Sequence, residues 1–213
     1  KVDLSGFLSS EIVINQNKEL QNATVNIKTK NLFLNQNLIG DFDFVLSGSP
    51  IYKTYKLSTS VINNGRKNIL GTGNIYILDK NINLDIDFDL DKFDLSFLSS
   101  FGKNKVNRIH GILSGKLNLW GSLSDIKLKG QTIINRGNLF LPITNTEYKI
   151  KERTPIYFQD QSIKFVNTEL IDTYDNTVAT ANGNIFHKNF NEWGMDLDVT
   201  SQRLLVFNKT KNL

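Results

Sequence analysis

Residues 82–91 alternate between apolar and polar side chains without a break. The segment reads Ile-Asn-Leu-Asp-Ile-Asp-Phe-Asp-Leu-Asp. A period of two is typical of a β-strand, because successive side chains leave opposite faces of the backbone. A row of aspartates cannot be buried without partners. The segment therefore predicts a strand with one apolar face and one solvated face.

The same alternation runs along most of the chain and predicts an all-β fold. The Asn63-Asn64-Gly65 sequence is a hairpin turn signal, and residues 79–81 form a second short turn. Short turns join antiparallel neighbours, so the strands around these two turns predict a meander. The predicted strands span residues 23–28, 38–46, 55–61, 69–77, 82–91, 109–119, 126–134, 138–141, 147–151, 156–159, 162–166, 177–186, 192–200 and 204–207.

One segment, residues 93–102, loses the alternation. Phe93, Phe97 and Phe101 recur at helical spacing, and Gly102 is a typical residue for a helix end. We therefore expect one short helix near 93–102.

Seven glycines lie within or at the ends of the predicted strands, several of them in register with the apolar residues. Glycine weakens a strand and often marks a bulge or a close approach of another group. Close packing of helix or sheet against these positions is one interpretation, and a tightly curled sheet or a long apolar ligand is the other. The glycines are Gly71, Gly73, Gly111, Gly115, Gly121, Gly130 and Gly183.

Composition excludes several classes of protein. The chain is 39% hydrophobic and 22% charged, which is typical of a folded domain and not of a disordered one. Its net charge of +4 comes from lysines scattered along strands, as on a solvated face, so we expect no nucleic-acid binding. No stretch approaches the roughly 20 apolar residues of a membrane-spanning helix. The chain has no cysteine.

No catalytic chemistry is indicated. The two histidines, His110 and His187, lie in strand pattern without metal-spaced partners, and the known nucleophile and phosphate-binding motifs are absent. Aspartates two apart on a strand are separated by about 7 Å, too far to share one ion as neighbours. We therefore predict no enzyme activity, no catalytic residue, no metal site and no cofactor.

Two stretches resemble a known family. Residues 109–148 carry spaced glycines at 111, 115, 121 and 130 and end on an apolar segment with Tyr148, and residues 172–187 read DTYDNTVATANGNIFH. Both are similar to the C-terminal region of the TamB family, the AsmA-like inner-membrane component of the translocation and assembly module, in its Bacteroidota form. Asp125 stands where the family usually has proline, and Asp175 where glycine is common.

The resemblance, strongest over residues 69–207, implies an elongated, mostly antiparallel curved sheet that forms an open, taco-like groove. Residues 1–213 would then be a single segment of a longer periplasmic protein, anchored in the inner membrane and reaching the outer membrane. Its partners would be phospholipid acyl chains, an Omp85-type outer-membrane protein resembling TamA, and nascent outer-membrane proteins.

We expect the apolar side chains of the central strands to line such a groove and to carry phospholipid. The same residues would equally suit the core of a closed sandwich. A chaperone-like module that offers its edge strands to outer-membrane proteins, and a surface adhesin, are further alternatives. The candidate lining residues are Ile69, Ile75, Ile77, Ile82, Leu84, Ile86, Phe88, Leu90, Leu113, Leu117, Leu119, Leu128 and Ile134.

Overall fold

The computed structural model describes residues 3–16, 21–78, 81–96, 107–142 and 144–208. The fold is all-β, as predicted, with thirteen strands in one mostly antiparallel sheet. The strands are β1 (Leu4–Gln16), β2 (Gln21–Leu34), β3 (Asn37–Ser49), β4 (Thr54–Asn63), β5 (Arg66–Leu78), β6 (Asn81–Asp94), β7 (Asn107–Ser122), β8 (Asp125–Leu141), β9 (Thr146–Ile150), β10 (Thr154–Asp160), β11 (Ser162–Asp172), β12 (Val178–Lys188) and β13 (Asn191–Thr200).

Strand order follows chain order, with a single complication at β9 and β10. Both lie between β8 and β11: β10 is on the main path of the sheet, and β9 pairs with β8 and with β11. Short connections explain this order, because a strand joined by a tight turn pairs antiparallel with its predecessor.

The chain divides into two compact units. The first comprises Lys1–Asp91 and Lys116–Gly130, and the second comprises Lys92–Gly115 and Gln131–Leu213. Strands β1–β5 lie wholly in the first unit and β9–β13 wholly in the second. The prediction that residues 1–213 form a single segment of a longer protein stays a prediction.

The predicted meander is confirmed in β4, β5 and β6. Asn63 pairs with Arg66, so Asn64 and Gly65 form a two-residue turn, with φ of 51° and 72°. Two consecutive left-handed residues match the twist of the flanking strands, which is why Asn-Gly is favoured there.

Three details of the predicted elements need correction. Strand β6 runs to Asp94, so Phe93 is in a strand and not a helix; nearby, the Leu95 N–H donates to the Gly111 carbonyl at 2.9 Å. Cross-strand hydrogen bonding therefore outweighs the helical spacing at residues 93–95. The rest of the predicted helix, residues 97–102, lies outside the described part of the chain. Residues 138–141 continue β8, and 204–207 form no strand.

The last of these segments is held by side-chain contacts instead of a strand ladder. The buried Tyr148 hydroxyl donates to the Leu205 carbonyl at 2.6 Å. The Leu205 N–H donates in turn to the Thr177 hydroxyl oxygen at 3.4 Å. Alternation in the sequence predicts a strand here because it does not reveal such partners.

Left-handed residues recur inside the strands without ending them. The Asn31 N–H, at φ 51°, donates to Asp41 Oδ1 at 2.9 Å, and the Asn167 N–H, at φ 46°, donates to Asn182 Oδ1 at 2.7 Å. In both cases a side-chain oxygen on the neighbouring strand accepts a hydrogen bond from the N–H of the irregular residue. The sheet therefore keeps its hydrogen bonding through these irregularities.

Most of the strand glycines lie where a neighbouring backbone comes very close. An added Cβ would meet a carbonyl oxygen of the next strand at 2.1–2.4 Å at five of them: Gly73, Gly115, Gly121, Gly130 and Gly183. At Gly71 the space is filled by the Phe88 ring, whose Cε1 lies 2.6 Å from the Cβ position. The neighbouring strand of the same sheet thus occupies the space that these glycines leave.

Replacing Gly73 with alanine should destabilise the fold, because the new methyl group would lie 2.1 Å from the Asp85 carbonyl oxygen. We expect a loss of about 1–3 kcal/mol in the free energy of unfolding, the usual cost of overpacking. Urea denaturation would measure it, with Asn74→Ala in the same strand as the control. Equal stability of the two variants would contradict the close approach.

A fully buried carboxylate organises the turn between β11 and β12. Asp172 accepts hydrogen bonds from the backbone N–H groups of Tyr174, Asp175 and Thr177, each at 2.9 Å, and from the Thr177 hydroxyl. Burial raises the pKa of Asp172, but these hydrogen bonds outweigh it and lower the pKa from 3.8 to about 2. The ionised carboxylate is therefore part of the fold.

Replacing Asp172 with asparagine should cost about 1–3 kcal/mol, because an amide cannot accept all four bonds and turns a donor toward N–H groups. The folded-state pKa is depressed, so the carboxylate stabilises the fold above pH 3.8, and this contribution is lost as the pH falls through about 2. Urea denaturation across this range would measure both effects. Asp175→Asn, at an exposed position of the same turn, is the control; equal losses in the two variants would refute the role of Asp172.

Candidate functional site

Most apolar side chains of β1–β6 lie on one face of the first unit, in rows that run across the strands. Directly paired residues share a face of a sheet, so the register defines each row. The four rows are Ile14–Ala23–Gly48–Tyr55–Ile75–Leu84, Ile12–Val25–Leu46–Leu57–Gly73–Ile86, Ser10–Ile27–Phe44–Thr59–Gly71–Phe88 and Leu8–Thr29–Phe42–Val61–Ile69–Leu90. We call this surface the apolar face.

Solvent exposure changes from one end of the apolar face to the other. In the second row Ile12 on β1 is 67% exposed, whereas Ile86 on β6 is 5% exposed. The neighbouring β1 residues Leu8 and Ile14 are exposed in the same way, and Leu90 on β6 is buried. The apolar face therefore begins as an open surface at the β1 edge and becomes core at β6.

Eight of the thirteen predicted lining residues lie together on β5 and β6. Direct pairs join Ile69 to Leu90, Ile75 to Leu84, and Ile77 to Ile82. Ile86 and Leu90 are buried, Ile82 is exposed, and the remaining five are half-buried: Ile69, Ile75, Ile77, Leu84 and Phe88.

The other five predicted residues lie on β7 and β8. Leu117, Leu119 and Leu128 belong to the first unit and are half-buried. Leu113 and Ile134 belong to the second unit and are buried there. The first unit thus brings together eleven of the thirteen, and their role in carrying lipid stays a prediction.

The prediction missed the part of the apolar face that solvent reaches. None of the residues of β1–β4 was among the lining residues, although 23–28, 38–46 and 55–61 alternate clearly. The predicted lining residues all lie within 69–207, the region that the family resemblance covers best. In β1 the alternation is obscured by Ser9 and Ser10, and pairing with β2 is needed to place Ile12 on the apolar face.

The opposite face carries the aspartate row, Asp85, Asp87, Asp89 and Asp91, and all four are exposed as predicted. Asn118 Nδ2 donates to Asp85 Oδ1 and to Asp87 Oδ1, each at 2.9 Å. An amide therefore bridges this pair, and Asp91 Oδ2 lies 3.5 Å from Arg66 Nη1. Because Asn118 reaches the aspartate row, alternation puts Leu117 and Leu119 on the other side of β7.

A groove of about 580 Å³ lies in the first unit. Carboxylates and ammonium groups share its lining with Leu70 and with two of the predicted lining residues, Phe88 and Leu117. Among the described residues, no three histidine, cysteine or acidic side chains are placed to hold a metal ion. The lining includes Leu70, Thr72, Asp87, Asp89, Lys116, Asn118 and Lys129.

No protein-family model, curated protein or solved structure matches this chain. The likeness to the TamB family therefore rests on the motifs quoted above. Within the described residues, no helix has the length and apolar character needed to cross a membrane.

Replacing Asn118 with aspartate should destabilise the sheet, because a third carboxylate would face Asp85 and Asp87. Like charges opposite each other on a sheet cost roughly 0.2–1 kcal/mol, and salt screens them. Asn118→Ala, which loses the amide without adding charge, is the matched control. We expect Asn118→Asp to unfold at lower urea concentration than the control at low ionic strength, and the gap to close in high salt. A gap that salt does not change would argue against the repulsion.

Proposed function

We propose that this chain is a non-enzymatic module that carries phospholipid acyl chains along its apolar face. The observation that supports the proposal most directly is the row from Ile12 to Ile86, in which apolar side chains stay in register across six strands while exposure falls from 67% to 5%. A hydrocarbon chain could pack against such an open apolar surface, which is continuous with the core, without entering a closed pocket.

Transfer of hydrocarbon from water onto this surface is favourable. Each buried methylene contributes about 0.8 kcal/mol, so six of them contribute about 5 kcal/mol. Side chains of similar chemistry repeat along the rows, so no single position would hold the acyl chain much more tightly than the next. Such a surface suits movement of a ligand better than storage.

On the resemblance to the TamB family, we extend this proposal to the cell envelope. A periplasmic segment of an inner-membrane-anchored protein would pass phospholipid toward the outer membrane, or assist outer-membrane protein assembly, with an Omp85-type protein as its partner. The open groove that the resemblance implies belongs to the same proposal.

Photo-crosslinking tests the proposal at the exposed end of the apolar face. p-Benzoylphenylalanine would replace Ile12 in one variant and Glu11 in another, so that the two probes lie one residue apart on opposite faces of β1. Vesicles of phosphatidylethanolamine and phosphatidylglycerol with radiolabelled acyl chains would serve as the lipid source. We expect lipid capture at position 12 to exceed that at position 11 severalfold. Equal capture, or none at position 12, would overturn the proposal.

A second candidate function rests on β1 as an edge strand. β1 ends the strand order, only Glu11 of its thirteen residues is charged, and its register irregularity between Ser5 and Phe7 leaves residues 7–16 regularly paired. Edge strands are normally protected by charge, proline or bulges, because their free backbone groups can pair with another chain. We therefore propose, as the alternative, that β1 pairs with strands of nascent outer-membrane proteins. Crosslinks in cells from β1 to barrel precursors, with no lipid captured from the apolar face, would favour it.

A further inference from the structure

The turn between β12 and β13 contains an aromatic residue in an unfavourable backbone conformation. Lys188 pairs with Asn191, and the two residues between them, Asn189 and Phe190, have φ of 49° and 60°. Asparagine adopts left-handed φ readily, whereas a bulky aromatic residue does so only where its surroundings impose it. Something must therefore hold Phe190 in place.

The side chain of His187 supplies that restraint. Its Nδ1 accepts a hydrogen bond from the Phe190 N–H at 3.1 Å, and its ring stacks on the Phe190 ring at 4.5 Å between centroids. Trp193 closes the cluster, with its ring centroid 4.8 Å from that of His187 and its Nε1–H donating to the Phe190 carbonyl at 2.9 Å. His187 is only 5% exposed.

The turn is also hydrogen-bonded to Gln161, which lies between β10 and β11. The His187 N–H donates to the Gln161 carbonyl at 3.0 Å, and the Asn189 N–H donates to Gln161 Oε1 at 3.0 Å. The bond from the His187 N–H therefore holds the end of β12 independently of the backbone conformation at Phe190. The strand beyond the turn, β13, pairs with β12 alone among the described strands.

We propose that His187 is a protonation-sensitive latch that closes the β12–β13 hairpin when its imidazole is neutral and releases it when the imidazole is protonated. An Nδ1 that accepts a hydrogen bond has no proton, so the closed turn requires neutral imidazole. Protonation places an N–H of His187 against the N–H of Phe190. The left-handed Phe190 then loses the bond that holds it, and the turn opens with β13.

The charged groups around the latch leave the imidazole without a close counter-ion. Lys188 on β12 and Lys164 on β11 lie on the opposite face by strand alternation. Glu192 on β13 lies at a register irregularity and is exposed. Asp160 ends β10 on the solvent side and is exposed. None of these four groups has a described contact with His187, so no carboxylate holds the protonated form in the closed turn.

Burial lowers the pKa of His187 below its usual 6.5. Because the closed hairpin prefers the neutral form, its stability is complete above pH 6.5 and falls as the pH drops below that value. The latch therefore opens on acidification and not on alkalinisation.

Hydrogen exchange at the hairpin tests the latch. We expect amides of residues 187–199 to exchange severalfold faster at about pH 5 than at about pH 7.5, after correction for intrinsic exchange, while β11 changes little. His187→Gln cannot be protonated and should lose this pH dependence. The other histidine of the chain is the matched control: His110 is exposed, with Nδ1 3.1 Å from the Ser96 hydroxyl, and His110→Gln should keep the full effect.

Two results would overturn the latch: an unmodified protein whose hairpin exchange does not change with pH, or a His187→Gln variant that opens over the same pH range. NMR of the unmodified protein provides a test that does not depend on the folding of a variant. At about pH 7.5 the proton of His187 must be on Nε2, because Nδ1 is the acceptor. A proton on Nδ1 would refute the proposed geometry.

Discussion

Cross-strand pairing in a fixed register is the constraint on which the rest of this structure depends. A shift of one residue in any strand would move its apolar side chains to the solvated face. The pairing of Gly73 with Leu57 on one side and Ile86 on the other keeps the rows aligned. Because a neighbouring carbonyl oxygen occupies the place of a side chain at Gly73, the close approach itself helps to specify the register.

Irregular backbone is distributed through the sheet, and several of these positions have their own polar partner. Asn31 and Asn167 take left-handed φ within strands and donate to side-chain oxygens of the next strand. In the turn between β11 and β12, the Asp172 carboxylate accepts the backbone hydrogen bonds and stays ionised while buried. At His187 the acceptor is a titratable ring, so there the stability of a turn is linked to pH.

The two faces of the first unit divide its proposed roles. The polar face ties its aspartates to Asn118 and presents mixed charge to water. Along the apolar face, the solvent exposure of the side chains falls from the open surface at Ile12 to the core at Ile86. A lipid-carrying surface and a hydrophobic core are therefore not exclusive alternatives: the same rows are core at one end and would, in the proposed function, contact a hydrocarbon chain at the other.

The sequence by itself determined the all-β fold, the meander around Asn64 and Gly65, and the solvated and apolar faces of residues 82–91. These features follow from side-chain alternation and turn chemistry, which are local properties of the chain. The sequence misjudged Phe93, since helical spacing could not compete with pairing of distant strands. Only tertiary structure decided that Ile12 belongs to the apolar face, that Tyr148 holds residue 205, and that His187 restrains a turn. Each of these depends on contacts between residues that local patterns do not relate, and register alone brings them together.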